Sequence, residues 1–257
     1  MTEPAATPPD RPFVAPCKVL SATAPLGWLR RGWQDYRAAS TVSLKYGMVI
    51  FLLSVLVSIM AYALGSYILL LAMLSGFVLI APLLATGLYS VSRQLGRGES
   101  PTVARTIQRM RRTLGDDMVF ALVLIVIFLV WARAGSMVHV FVPAEEGNLA
   151  DMVRFFAIGS AVGSIFAAFT FSVSAFSLPM VVDRDSDMIT ASVTSINAVL
   201  RNKPAMVVWI GSIVMLTGLG FATAGLGLIV TIPWLGYATW HGYLETVDAS
   251  DWPPAEI

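Results

Sequence analysis

The stretch Ala205–Val247, AMVVWIGSIVMLTGLGFATAGLGLIVTIPWLGYATWHGYLETV, reads as two membrane-crossing helices folded back on each other at Ala222–Gly225. Each apolar run holds about 20 residues, enough at about 1.5 Å per residue to cross a hydrocarbon core of about 30 Å. An amphipathic lead-in, a first span, an outer turn and a second span with a proline near its inner end also occur twice earlier in the chain. The sequence therefore predicts an all-α integral membrane protein with six transmembrane helices in three hairpin repeats, each preceded by an interfacial helix.

The first repeat, about 25–93, opens with Pro25 at a first helical position and continues LGWLRRGWQDYRAAS. Leu29, Trp33 and Tyr36 share one face, and Arg30, Arg31, Gln34 and Arg37 fall away from it, as expected of a helix lying on a membrane surface. Spans follow at Tyr46–Leu64 and from Tyr67 to about Val91, the second kinked at Pro82.

The second repeat, about 100–180, starts at Ser100–Pro101 with TVARTIQRMRRTLGDD, and its spans are read from Met118 to Val138 and from Phe155 to Pro179. The third, about 187–247, starts at Asp187. Its Ile189, Val193, Ile196 and Leu200 repeat the spacing of Val103, Ile107, Met110 and Leu114. Residues 1–24, with five prolines and no continuous apolar run, are expected to be a disordered cytoplasmic tail without a signal peptide, and 249–257 a short polar tail.

The composition fits this reading. Of 257 residues, 56% are hydrophobic and 13% charged, against about 25% charged in an average soluble domain. A net charge of +1 gives no reason to expect a nucleic-acid partner, and the single cysteine, Cys17, excludes an internal disulfide framework. Of 17 basic residues only Arg133 and Arg154 lie at the outer end, so both termini are expected in the cytoplasm.

The segments APLLATGLYSVSRQLGRGESP, FSLPMVVDRDSDMITASVTSINAVLRNKPAMVVW and IPWLGYATWHGYLETV together resemble the bacterial integral membrane proteins grouped as domain of unknown function 2189. The resemblance covers nearly all of the chain after about residue 26, and implies an inner-membrane protein of unassigned activity. Some members carry the label of a cytochrome c oxidase subunit. The two histidines here, His139 and His241, lie near opposite membrane faces and cannot share a haem, so no cofactor is expected.

Asp183, Asp185, His241 and Glu245 gather at the inner face as a candidate metal or headgroup site, weighed against interfacial anchoring and helix capping. Arg133, near the outer boundary, is expected to snorkel or to pair with Glu145, Glu146 or Asp151. Pro82, Pro179 and Pro233 are the expected kinks. Gly159, Gly163 and Ala167, with Ser160, Ser164, Thr170, Ser174 and Ser177, read first as helix packing and second as a polar path. No GxxxxGK, GxGxxG, HExxH or GxSxG arrangement is present, and no catalytic residue is assigned.

Two functions remain. One is a non-catalytic scaffold, assembly factor or accessory subunit, with membrane lipids, anionic headgroups and a protein of a membrane complex as partners. The other is a transporter or flippase for a small uncharged or amphiphilic solute.

Overall fold

The computed structural model describes residues 12–64, 82, 84–142 and 148–255. Its helices are α1 (Ala24–Ala38), α2 (Ser40–Leu64), α3 (84–96), α4 (Val103–Phe141), α5 (Leu149–Ser174), α6 (Ser177–Asp183), α7 (Met188–Arg201), α8 (Lys203–Ala222) and α9 (Leu228–Thr246). Among the described residues, four segments are long and apolar enough to cross a membrane: Ser40–Met60, Met110–Phe141, Leu149–Asp183 and Lys203–Ala222. They correspond to the first, third, fourth and fifth expected spans. Most of the second, and the outer residues Glu145 and Glu146, lie outside the described residues.

The sixth expected span is α9, which is not among the four. Its second half carries Thr239, His241, Glu245 and Thr246, and it is the hub of the fold, packing against α1, α2, α6 and α8. The turn before it spans 223–227, where Ala224 and Gly225 take positive φ of 53° and 84° and the Thr223 hydroxyl accepts the Gly227 amide at 2.7 Å.

The face of α1 against α9 is Pro25, Trp28 and Gly32, one step round from the face read in the sequence. Trp28 is fully buried, edge-on to Trp209 (5.5 Å) and Phe176 (6.2 Å). Gly32 sits so close to the Ala238 backbone that a β-carbon would lie 2.6 Å from its nitrogen. Burying each such aromatic contributes about 1.5–3 kcal/mol. Trp33 is part exposed, stacked on Tyr36 (5.3 Å) and tilted against Trp234, whose indole N–H donates to the Leu29 carbonyl at 2.8 Å.

The second expected lead-in is not a separate helix. α4 runs unbroken through Gly115, Asp116 and Asp117, so that lead-in is the inner part of one helix of 39 residues. The acidic pair does not end it because Asp117 accepts a hydrogen bond from Thr113 one turn back. In α7 the packed face is small and polar, with Ala191, Thr194, Ser195 and Ala198 inside. The bulky Ile189 and Leu200 point outward, 64% and 57% exposed.

The described segments nearest the two ends of the chain are tied down. The sequence predicts disorder over 1–24, yet residues 15–20 run extended across α7 and the end of α9. The Ala15 amide donates to Thr194, the Lys18 amide to the Thr246 carbonyl and the Leu20 amide to Asn202, while Cys17 pairs with Val247 across an antiparallel bridge. The expected polar tail after 249 buries Trp252 and pairs Arg184 with Pro254. Ala15 and Trp252 supply the apolar burial that a proline-based reading of the tails overlooks.

Candidate functional site

The polar residues gathered by the sequence reading all lie at the basic end of the bundle, but the structure gives them different partners. His241 Nε2 is 2.9 Å from Asp35 Oδ2 of α1, and Glu245, one turn on, pairs with Arg31. Asp183, at the end of α6, accepts from Arg184 Nε at 2.9 Å and from the Tyr243 hydroxyl at 3.0 Å, with Arg93 Nε 3.7 Å away. The Asp185 amide donates to the Pro253 carbonyl.

Arg93 ties α3 to the C-terminal segment. Its Nη2 donates to the carbonyls of Ala255 (2.7 Å) and Asp183 (3.2 Å), and its side chain is only 7% exposed. Burial, with Arg97 nearby, pulls the guanidinium down to about 10 against the opposing effect of Asp183, which leaves it charged at neutral pH. A polar cavity of about 360 Å³ opens beside this cluster, lined by Arg112, Thr113, Asp116, Arg184, Asp185 and Ser186. Among the described residues no group of three or more His, Cys, Asp or Glu is placed to hold a metal ion.

The other singled-out residues behave as packing elements. Ser164 and Ser174 donate back to the carbonyls of Ser160 and Thr170, both at 2.7 Å. Arg133 is exposed and makes no ion pair among the described residues, and Glu145 lies outside them.

The chain breaks between α5 and α6, two residues before Pro179 enters the new helix. There the Ser195 hydroxyl accepts the Phe176 amide at 3.0 Å and donates to the Ser172 carbonyl at 2.8 Å. A side chain has thus been inserted into one rung of the helical ladder. Pro233 lies within α9, and Pro82 is helical and buried.

One buried acid was not singled out in the sequence. Asp117 on α4 is 1% exposed and accepts from the Thr86 hydroxyl of α3 at 2.8 Å and from Thr113 at 3.0 Å. The signal in the sequence was the spacing of Thr113 and Asp117, one helical turn apart, facing Thr86, Ser90 and Gln94 at the same interval on α3.

Four long apolar segments among the described residues define an integral membrane protein. Residues 69–183 match the model of the family described as predicted integral membrane protein (DUF2189). The match takes in the first quoted segment and the opening of the second, a shorter reach than the resemblance implied. No curated protein and no solved structure matches the chain.

Proposed function

We propose that this is a six-span protein of the bacterial inner membrane, built as three hairpins with both ends cytoplasmic, that works without catalysis through contact as a scaffold, assembly factor or accessory subunit. The supporting observation is how its charged groups are used. At the basic end several of them pair within the chain, Arg93 and Arg184 with Asp183, Arg31 with Glu245 and His241 with Asp35. The hairpin of α4 and α5, by contrast, turns broad apolar faces outward, with Leu129 55% and Ile165 71% exposed. The outward apolar stripe of α7, flanked by Arg201 and Lys203, suits an inner leaflet with anionic headgroups.

Photo-crosslinkers placed at Leu129 and Ile165 in native membranes test this, followed by purification in mild detergent. A reproducible adduct to one protein species supports the reading. A chain that comes out alone, with adducts to lipid only, removes it.

A second reading, a transporter or flippase for a small uncharged or amphiphilic solute, is favoured by three apolar cavities. One of about 250 Å³ shares Leu124, Phe171 and Ser174 with a cavity of about 580 Å³ between α4 and α5. It also shares Ala85, Tyr89, Ile213 and Thr239 with one of about 440 Å³ between α2, α3, α8 and α9. Proteoliposome uptake that survives bulky replacement of Ser164 and Ser174 would count against that route.

A further inference from the structure

We propose that Asp117 is a reversible proton-binding site within the membrane domain, filled from the basic end of the bundle along the seam between α3 and α4. An ionisable side chain inside a span is costly to keep, so its surroundings show what it is kept for. Asp117 has no ion pair with any lysine or arginine among the described residues, and its two bonds come from neutral hydroxyls. A structural acid would gain more from a charged donor, as Asp183 does from Arg184 at the end of α6.

The hydroxyl geometry accommodates both protonation states without moving a helix. With the carboxylate ionised, Thr86 donates to Oδ1 and Thr113 to Oδ2. Thr113 Oγ1 also lies 3.5 Å from the Met110 carbonyl. When the carboxylate takes one proton from water, its new O–H donates to Thr113, whose own hydrogen turns to Met110, while Thr86 continues to donate to Oδ1. A hydroxyl can make that exchange because it is both donor and acceptor and its hydrogen rotates freely. An arginine or an amide N–H in the same place could only donate.

The seam leading to it is polar and buried. Thr86, Ser90 and Gln94 stand one turn apart on α3, spanning about 12 Å. The Gln94 amide donates to Ser90 Oγ (3.4 Å) and Thr106 Oγ1 (3.3 Å), and its oxygen accepts the Thr102 amide at 3.3 Å beside the exposed turn at Arg97–Gly98. Between that mouth and the carboxylate, the Tyr46 hydroxyl of α2 donates to Met110 Sδ at 3.4 Å. Among the described residues, the other titratable groups close enough to Asp117 to act on it or be acted on by it are Tyr89 from α3 and Asp116 on its own helix. Asp116 lines the polar cavity of about 360 Å³ together with Asp185, just before α7. This assignment does not depend on the contact function proposed above.

The test is an infrared pH titration of the full chain in lipid nanodiscs, following the carbonyl stretch of protonated carboxyl groups. The wild type is expected to show a titrating band that Asp117→Asn abolishes and Asp116→Asn leaves. Asparagine keeps an acceptor for Thr86 and a donor for Thr113, so the variant can fold. Thr113→Val, which retains the carboxyl, is expected to move the midpoint upward by up to about one pH unit, because the hydrogen bond it removes is stronger in the charged form than in the neutral one. A spectrum unchanged between wild type and Asp117→Asn, or a midpoint indifferent to Thr113→Val, overturns the proposal and leaves Asp117 a fixed acceptor.

Discussion

At Pro233 the ring removes the amide that would bond the Ile229 carbonyl four residues back, and α2 meets that oxygen with Gly47. A β-carbon at position 47 would overlap the carbonyl, whereas one at Gly159 on α5 would meet nothing within 4 Å. Gly47→Ala should therefore destabilise the fold by about 1–3 kcal/mol, and Gly159→Ala should leave it within about 0.5 kcal/mol, in unfolding titrations of detergent-solubilised protein. Equal effects at the two glycines would mean that α2 does not approach α9 at this point. Asp187 is a second informative residue. Burial pushes its carboxyl up, but the amides of Thr190 and Ile189 that it caps outweigh this and hold it below the usual carboxylate range. A carboxyl depressed by folding stabilises the fold above its unfolded value, and that support is lost as pH falls through its folded value. Stability should thus decline in acid, and Asp187→Asn, which can still cap α7, should flatten the part of that decline belonging to this residue.

Among the elements, the link that joins most of them is Asp183 with Arg93, where α3, α6, α9 and the C-terminal segment meet. Asp183→Asn would leave the nearly buried guanidinium with carbonyls but no counter-charge, so a loss of about 3 kcal/mol is expected. Glu245→Gln, which breaks a pair whose partners are 42% and 35% exposed, should cost under about 1 kcal/mol in the same unfolding assay. The sequence made Asp183 and Glu245 look alike, because both are acids near an apolar boundary. What separates them is which cation folding brings up, and Arg93 lies 90 positions from Asp183. The helices themselves were legible where periodicity or length is a local property, as with the caps of α7 and the apolar runs of α2, α4, α5 and α8. The buried face of α1 was not, because Trp28 and Gly32 make sense only against Ala238 and Gly242, more than 200 positions away.

For the whole molecule, hydropathy separates chain that prefers lipid from chain that prefers water, but a helix buried by other helices satisfies neither pattern cleanly. α9 is such a helix. Its 19 residues reach about 28 Å, enough to cross, while Tyr237, Trp240 and Tyr243 are covered by protein and His241 and Glu245 are met by α1. Single cysteines introduced at Thr223 and Asp251 in a Cys17→Ser background would settle its path in intact cells. With a membrane-impermeant thiol reagent, the six-span arrangement predicts labelling at Thr223 without permeabilisation and at Asp251 only after it. Asn148 should behave like Thr223, and Arg97 like Asp251, because α4 separates the two ends of its hairpin by about 58 Å of helix. If Thr223 and Asp251 are reached from the same side, α9 does not cross, and the basic end cannot hold both chain termini on one face of the membrane together with Arg97.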